Sequence, residues 1–381
     1  MSKVVLLKCE EYNLEIIYKK LKWGLDQLGG IENIIPKEKK ILLKPNFVVA
    51  AKPEEAATTH PVVFEAIAKI LLEKKYTITY GDSPGYEKPE KVAIKSGIKA
   101  VADKHNIQLV DFVKGKKISY PDGVVCKQFD IANGILETDA IINLPKMKSH
   151  AFQRITGAIK NPFGAVIGFN KGAMHSSYNK TEDFAKMIVD LANYLKVDLH
   201  IMDGIVAMEG NGPRNGDPVK MNVLLLSTDP VALDTVFCKL VNLDHLLIPT
   251  ITYGQIFDLG KHENIEIIGD DIEPLINNDF NIDRDPLLTQ YKMDLSFLRK
   301  HVLKRPYIVE KDCVTCGICI KVCPLEKKAL SFKDNDKTKA PIYDYDKCIR
   351  CYCCQEMCPH DVIKVKTPLI GKVLFATKLL K

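Results

Sequence analysis

The chain has 381 residues, of which 46% are hydrophobic, and a formal net charge of +6 at pH 7. Its length exceeds what a single hydrophobic core usually supports, so two or more domains are expected. Five lysines and no acidic residue lie in 364–381, so the rest of the chain carries only +1, which argues against a nucleic-acid-binding face on the main domain. The sequence has no run of about eighteen apolar residues for a membrane-spanning helix, and without an apolar signal segment we expect a cytoplasmic protein.

Residues 1–275 alternate short apolar runs with segments of helical periodicity. The runs that predict strands are 3–7, 41–43, 76–80, 107–110, 140–143, 199–202 and 222–226. Predicted helices lie at 14–28, from Pro61 onward, in the stretch before His105, at 182–196 and after Asp229-Pro230, where Leu233, Val236 and Leu240 recur, and Pro121-Asp122-Gly123 indicates a hairpin turn. Strands that alternate with helices indicate a parallel sheet covered by helices. We therefore predict an α/β fold with a doubly wound, mostly parallel sheet.

Polar residues follow several of the predicted strands. The candidate ligand-binding residues are Lys44, Asn46, Asp82, Lys146, Lys160 and Asn161, and the candidate catalytic residues are His60, Lys148 and His150. Ligands of open parallel sheets bind at the carboxyl ends of strands, and lysines and histidines there suit an anionic ligand such as phosphate or carboxylate. The alternative is that these are turn and helix-capping residues, which fits Asp82 before Ser83-Pro84. Residues 146–150 are expected in a loop after the strand at 140–143, where charges bunch.

A glycine-rich stretch lies between Gly157 and Gly172, and its Gly164, Gly168 and Gly172 recur at four-residue spacing. Such spacing suits either a helix that approaches another backbone closely or a loop whose bare amides meet a ligand. The sequence leaves both open. Neither G-x-x-x-x-G-K-[ST] nor G-x-G-x-x-G after a strand occurs, so a Walker-type nucleotide site and an ordinary dinucleotide site are both disfavoured.

The composition changes after residue 275 to Asn, Asp, Pro and scattered apolar residues. We predict a linker at 276–305, a second domain at 306–365 and a basic amphipathic tail at 366–381. The tail residues that share one helical face are Leu369, Val373, Ala376 and Leu380. Such a helix either packs on the protein or makes a peripheral contact with anionic lipid or an acidic partner.

The second domain contains two runs of the form C-x-x-C-x-x-C-x-x-x-C-P, at 313–324 and 348–359. Three thiolates at two-residue gaps wrap around one face of an iron–sulfur cube, and the fourth cysteine ligates the cube of the other run. We predict one 4Fe–4S cluster held by Cys313, Cys316, Cys319 and Cys358, and a second held by Cys323, Cys348, Cys351 and Cys354. Zinc sites have no place for a third cysteine at the same short gap, and disulfides are unexpected in a cytoplasmic protein.

Eight of the twelve cysteines belong to these runs. Cys9, Cys126 and Cys238 lie far apart in apolar surroundings, as buried small hydrophobic residues do. Cys353 directly precedes the predicted ligand Cys354 and is either a spare thiol or a substitute ligand.

Five short motifs occur in order in the first domain. They are Leu42-Leu43-Lys44-Pro45-Asn46, Thr58-Thr59-His60-Pro61, Gly81-Asp82-Ser83-Pro84-Gly85, Asn143-Leu144-Pro145-Lys146-Met147-Lys148-Ser149-His150 and Gly157-Ala158-Ile159-Lys160-Asn161. With them, residues 1–275 resemble an uncharacterised family named domain of unknown function 362, whose members are often joined to a ferredoxin-like module. This resemblance implies the domain division and the candidate site, but no reaction. The second domain resembles a bacterial two-cluster ferredoxin of small α+β fold, with extra residues at 325–328 and 334–340 that remove no ligand.

Two clusters in one small module make an electron relay. Our first hypothesis is an oxidoreductase in which single electrons pass to or from an anionic ligand or cofactor of the α/β domain, with His60 or His150 supplying protons. The alternative is a non-catalytic electron carrier or assembly subunit whose first domain docks a partner enzyme. An iron–sulfur sensor or nucleic-acid binder is a third reading, against which the near-neutral charge outside the tail argues. We expect a redox partner protein or a small-molecule electron acceptor.

Overall fold

The computed structural model describes residues 1–168, 170–285 and 302–376. The chain forms two compact units, one of Met1–Lys171 with Thr181–Ile282 and the other of Gly172–Lys180 with Asp283–Lys381. Residues 286–301, which make up most of the predicted linker, lie outside the described residues.

One segment departs from the predicted division of the chain. Gly172–Lys180 belongs to the second unit, although the sequence analysis includes it in the α/β domain. It lies beside the first cysteine run there, since a Cβ added to Gly172 would lie 3.9 Å from the Cβ of Pro324, an ordinary van der Waals distance. No periodicity or composition in the glycine-rich stretch indicates such a contact, because it joins residues far apart in the chain.

The first unit contains twelve strands and ten helices within the described residues. The strands are β1 (Ser2–Lys8), β2 (Lys40–Pro45), β3 (Thr77–Tyr80), β4 (Gln108–Leu109), β5 (Gly115–Ser119), β6 (Gln128–Ala132), β7 (Ala140–Leu144), β8 (Lys146–His150), β9 (Arg154–Thr156), β10 (Leu199–Glu209), β11 (Asp217–Ser227) and β12 (Ile265–Gly269). The helices are α1 (Leu14–Gln27), α2 (Ile31–Ile34), α3 (Pro61–Glu73), α4 (Pro89–Lys95), α5 (Ile98–Lys104), α6 (Asn133–Leu136), α7 (Asn170–Ser177, which continues into the second unit), α8 (Thr181–Leu195), α9 (Pro230–Leu240) and α10 (Pro249–Ile256). Short 3-10 turns lie at Pro53–Glu55, Asn161–Ala165, His245–Leu247 and Glu273–Leu275.

A ten-stranded sheet organises this unit, with the order β12-β1-β11-β10-β7-β2-β3-β4 and with β8 pairing to both β10 and β9. The pairs along β7, β2, β3 and β4 are parallel, as is β10 with β7, whereas β11 is antiparallel to both β1 and β10. The predicted α/β fold with a mostly parallel sheet is therefore confirmed. The hairpin expected around Pro121-Asp122-Gly123 is the separate antiparallel pair β5–β6.

The strands are held by a continuous apolar core, because their inward residues alternate along each strand as the pleat requires. Val5 and Leu7 of β1 and Ile142 of β7 belong to one buried cluster with residues of α1 and α3. On β1 and β11, α9 supplies a further packing contact. Polar caps fix where helices begin: the side chain of Asn13 accepts from the backbone nitrogen of Ile16 at 3.2 Å.

The sequence analysis misplaces the residues that follow β7. Lys146–His150 is not a loop but the buried strand β8, which runs parallel to β10 beyond Pro145. The polar composition of this segment concealed the strand, because buried strands are usually apolar. The central strands β10 and β11 are also longer than predicted, at 11 residues each, since their outer halves pair with each other.

The second unit has small paired strands and short helices, as an α+β domain does. Its elements are β13 (Arg305–Ile308), α11 (Ile318–Lys321), β14 (Leu330–Ser331), β15 (Ile342–Tyr343), α12 (Cys353–Glu356), β16 (Ile363–Lys366) and α13 (Leu369–Ala376). β13 pairs antiparallel with β16, and β14 with β15. Cys319, Cys323, Cys354 and Cys358 belong to the buried cluster at its centre.

The predicted tail is described as far as residue 376, and 377–381 lie outside the described residues. Its helix α13 exposes Leu369 and Val373, which are 80% and 60% accessible. Ala376 and Leu380, the other members of the predicted apolar face, are not described at side-chain level. Within the described ranges, every helix is too short or too polar to cross a bilayer.

Candidate functional site

A buried ion pair lies at the end of β2. The Nζ atom of Lys44 is 2.7 Å from Oδ1 of Asp82 and donates to the carbonyl oxygen of Asn161 at 2.7 Å. Oδ2 of Asp82 accepts from the backbone nitrogen of Phe47 at 2.7 Å. Burial lowers the pKa of the Lys44 ammonium, and the charge of Asp82 opposes that effect. The carboxylate thus holds the loop after β2 against the loop after β3.

A second buried pair joins β8 to β10. Lys146 donates to Oδ2 of Asp203 and to the hydroxyl oxygen of Tyr12, both at 2.8 Å, and that hydroxyl donates to Oδ1 of Asp203 at 2.8 Å. The backbone nitrogen of His60 also donates to Asp203, and its ring stacks on Tyr12 with centroids 3.5 Å apart. Burial lowers the pKa of His60 to about 4, so the ring is neutral at pH 7.

A chain of buried side-chain hydrogen bonds connects β8, the residue after β2, β7 and β10. Nζ of Lys148 donates to Oδ1 of Asn46 at 2.5 Å, and Nδ2 of Asn46 donates to Oδ1 of Asn161 at 2.5 Å. Nδ2 of Asn161 donates to Oδ1 of Asn143 at 2.6 Å, and Nδ2 of Asn143 donates to Nδ1 of His200 at 3.0 Å. Every bond runs in the same direction, away from Nζ of Lys148. Such an array is mutually polarised, and we call it the amide chain.

The structure brings most of the predicted site residues together, and His150 and Lys160 make further contacts of their own. Those that meet are Lys44, Asn46, Asp82, Lys148 and Asn161 in one region, and Lys146 with His60 in another. His150 is buried at the end of β8, where its Nδ1 accepts from the backbone nitrogens of Phe152 and Gln153 at 3.0 and 3.3 Å, as a turn-capping residue does. Lys160 directs its Nζ toward the ring of Phe163, 5.9 Å from the centroid.

The sequence analysis does not include Lys171, a lysine near Asp82 whose pKa is also lowered. Its ammonium donates to the carbonyl oxygens of Ser83 and Pro84. Burial lowers its pKa to about 7, Asp82 opposes this, and the positive charges of Lys44 and Lys160 add to it. Lys171 therefore changes protonation near neutral pH, which is the property of a proton-transfer residue. A lysine within a glycine-rich stretch gives no signal of this in the sequence.

Gly164 is where the glycine-rich stretch approaches the Lys44–Asp82 pair. A Cβ built on Gly164 would lie 1.8 Å from Oδ1 of Asp82 and 2.8 Å from Nζ of Lys44. The backbone also pairs there, since the nitrogen of Ser83 donates to the carbonyl oxygen of Gly164 at 3.1 Å. Gly164 thus lies in a short 3-10 turn close to two side chains, and the two roles that the sequence left open for this stretch stay predictions.

The predicted cluster ligands lie in two groups in the second unit. Cys313, Cys316, Cys319 and Cys358 line one cavity, whose remaining walls are largely apolar. Cys348 lies within electrostatic range of Cys323 and Cys351, and Cys354 within range of Cys348 and Cys351. Four thiols around an apolar space fit a cubane cluster in donor chemistry. No three His, Cys, Asp or Glu side chains of the described ranges converge on a single ion, and each cysteine of a cube binds a different iron.

The remaining cysteines are buried. Cys9, Cys126 and Cys238 are each less than 5% exposed. Cys353 is also buried and is hydrogen-bonded to Cys351. Its role as spare thiol or substitute ligand stays a prediction.

Gly164→Ala is expected to destabilise the first unit by about 1–3 kcal/mol, because the added methyl group must displace the Lys44–Asp82 pair. The protein has one tryptophan, Trp23 in α1, so urea unfolding followed by tryptophan fluorescence reports on this unit. Gly172→Ala is the control, since the nearest atom to its added Cβ is 3.9 Å away. Equal stability of the two variants would contradict the close approach.

Lys171→Met is expected to stabilise the first unit most at pH 6 and least near pH 10. The pKa of Lys171 is about 7 in the folded protein, against about 10.4 for an unfolded lysine. The unfolded state thus binds more protons between these values, so the penalty for burying the cation is full below pH 7 and fades as the pH rises. Urea unfolding at several pH values measures this, with Lys180→Met, at an exposed position, as the control. A stability difference that does not vary with pH would refute the assignment.

The comparisons with known proteins agree with this architecture. The model of the domain of unknown function DUF362 matches residues 41–239, and the model of the 4Fe-4S dicluster domain matches residues 300–362. A thylakoid-associated protein of Synechocystis sp. is 34% identical over 252 residues, which are 66% of this chain and 78% of that protein.

Two solved structures show slight likeness. The lactate racemase apoprotein of Thermoanaerobacterium thermosaccharolyticum has a TM-score of 0.39 at 14% identity, over 60% of this chain and 55% of its own. A protein of Thermotoga maritima has a TM-score of 0.36 at 11% identity, over 70% and 62%. Likeness at this level bears on neither fold nor substrate. The family match and the curated relative do decide membership: this chain belongs to the DUF362 family, and it carries a 4Fe–4S ferredoxin domain for iron–sulfur electron transfer.

Proposed function

We propose that the protein is an iron–sulfur oxidoreductase that passes single electrons between two 4Fe–4S clusters and an anionic ligand of its α/β unit. One cluster is assigned to Cys313, Cys316, Cys319 and Cys358, and the other to Cys323, Cys348, Cys351 and Cys354. The clusters supply one-electron transfer. The observation that carries the proposal is the joining of two complete four-cysteine sets to a domain with a charged, buried strand-end network.

The electrostatics near Lys171 support an anionic ligand. Lys44 and Lys160 both raise the positive potential at Lys171, and the carboxylate of Asp82 partly offsets them there. An anion bound beside Lys171 would relieve this repulsion and raise the pKa of the ammonium. Lys171, with a pKa of about 7, suits proton transfer to a reduced ligand better than His60, whose pKa is about 4.

A second function is favoured by a different observation. Lys44 and Lys146, two lysines expected to neutralise a ligand, already have Asp82 and Asp203 as partners. Breaking such buried pairs is costly, by about 3–5 kcal/mol, so their first role is to position the strand ends. Ion pairs that only position the strand ends would be sufficient for a non-catalytic electron carrier or assembly subunit whose α/β unit docks a partner enzyme.

Flavin mononucleotide is a suitable test acceptor, because it carries a phosphate dianion and takes up two electrons with two protons. We expect the dithionite-reduced protein, freed of excess dithionite, to reduce it at a rate that saturates with flavin concentration. Lys171→Met is expected to weaken apparent flavin binding about tenfold, through loss of a charge-assisted hydrogen bond. Stopped-flow absorbance measures both.

Methyl viologen, a cation, serves as the control acceptor, and Lys180→Met, at an exposed position, as the control variant. The rate of methyl viologen reduction is not expected to saturate with its concentration. Lys180→Met is not expected to weaken apparent flavin binding. Linear, variant-independent rates with both acceptors would favour the carrier function and contradict the oxidoreductase.

Tyr343 is the residue expected to tune one cluster. Its hydroxyl oxygen lies 3.2 Å from Sγ of Cys354, and its ring stacks on Tyr345 with centroids 5.4 Å apart. A hydrogen bond to a ligand sulfur stabilises the reduced, more negative cluster and so raises its potential. Tyr345 instead donates to the carbonyl oxygen of Pro306 at 2.9 Å.

Tyr343→Phe is therefore expected to lower the midpoint potential of one cluster by about 40 mV, the one-electron equivalent of a hydrogen bond of about 1 kcal/mol. Redox titration followed by electron paramagnetic resonance separates the two clusters. Tyr345→Phe leaves the contact between Tyr343 and Cys354 in place, so it should leave both cluster potentials unchanged. The same shift in both variants would rule out the hydrogen bond as its cause.

A further inference from the structure

A cavity of about 280 Å³ lies in the first unit beside the amide chain. The end of α8, the start of α9 and the turn after α10 surround it. Its lining residues are Ala158, Pro162, Ala192, Asn193, Lys196, Val197, His200, Thr228, Pro230, Asp258 and Leu259. This volume is near the lower end for small-molecule pockets, so a ligand of a few heavy atoms is the right size.

His200 lies at the buried end of this cavity, with 2% of its surface exposed. Its Nδ1 faces Nδ2 of Asn143 at 3.0 Å. The orientation of that amide is fixed, because Oδ1 of Asn143 accepts from Nδ2 of Asn161 at 2.6 Å. An amide nitrogen only donates, so Nδ1 of His200 accepts and the ring proton is on Nε2.

The Nε2 atom of His200 is a buried donor that the protein does not satisfy. Its accessible area is below 1 Å², and no described residue accepts a hydrogen bond from it. A buried N–H without an acceptor costs about 1–3 kcal/mol, and such groups are rare in native proteins. An acceptor that reached this atom from the cavity would remove that cost.

The amide chain maintains this donor over a wide pH range. It orients each hydrogen bond from Nζ of Lys148 toward Nδ1 of His200. Burial lowers the pKa of His200 to about 3, so the ring stays neutral above that pH. The donor is thus preorganised, as in a site built to orient one polar group of a ligand.

The rim of the cavity is polar and of mixed charge. Lys196, Thr228 and Asp258 are exposed there. Asn193 is held at the wall, since its Nδ2 donates to the carbonyl oxygen of Phe257 at 2.9 Å. Lys196 adds a cation that favours a carboxylate, although exposed charges contribute little.

We propose that this cavity is a binding site for a small molecule with a carbonyl or carboxylate oxygen, which accepts a hydrogen bond from Nε2 of His200. The site is argued from the cavity and from His200, and it does not depend on the redox function proposed above. A water molecule is the competing occupant, since the cavity is roomy and polar enough to hold one.

Nuclear magnetic resonance of the cluster-loaded, oxidised protein tests this, with ¹⁵N in the rings of its nine histidines. His200→Phe identifies the signals of His200. We expect the Nε2–H tautomer, with no titration between pH 5 and 8. Adding acetate, or acetamide as its neutral counterpart, is expected to shift the Nε2 proton of His200 in a saturable way.

Three further variants make the result decisive. Ala192→Leu fills the cavity without removing a polar group, so it should keep the tautomer and abolish both shifts. Lys196→Met should weaken acetate binding by up to about fivefold and leave acetamide binding unchanged. Lys95→Met, at an exposed lysine in the last turn of α4, should change neither.

Several outcomes would overturn the proposal. One is an Nδ1–H tautomer of His200, and another is a response that persists in Ala192→Leu. No response to either compound would mean that the cavity holds water only. The reduction of the clusters by dithionite is measured on the same samples, so failure of this site is distinguishable from failure of the redox function.

Discussion

The amide chain is the constraint on which the strand ends of the first unit depend. It connects Lys148 on β8 to His200 on β10 through Asn46 directly after β2, one side chain on β7 and Asn161 in the turn that follows β9. Each amide accepts once and donates once along it, so loss of any member leaves buried groups unsatisfied on both sides. The amide chain fixes both the tautomer of His200 and the position of Nζ of Lys148. The positions of these strand ends therefore depend on one another.

Two buried lysines near the amide chain are balanced by carboxylates of the protein. Asp82 pairs with Lys44, and Asp203 pairs with Lys146, in surroundings where an unpaired charge is costly. Asp82 also accepts a hydrogen bond from the backbone nitrogen of Phe47, and Asp203 accepts one from that of His60. The two ion pairs therefore connect loops to strands. At Lys171 the charges of Lys44 and Lys160 oppose the effect of Asp82. An anionic ligand, if bound, would interact with Lys171, whereas Lys44 and Lys146 would keep the strand ends in position.

Local patterns predict part of this arrangement. The spacing of the two cysteine runs, together with periodicity, predicts the iron–sulfur domain and the α/β fold, because both signals are contained in short stretches of sequence. The strand β8 escapes prediction, since Lys146 and Lys148 are polar and find their partners on distant strands. His200 and Lys171 give no sequence signal either. Their chemistry comes from burial and from partners that only the folded chain supplies.

The central claim is that one chain joins two 4Fe–4S clusters to a unit that binds a small molecule. Native mass spectrometry of the anaerobically purified protein tests it most directly, with iron and sulfide counted on the same sample. The account predicts the chain mass plus two cubes, about eight irons per chain, and a further small molecule that is released on unfolding. A chain that carries about four irons, or two cubes and no small molecule under any growth condition, would contradict it.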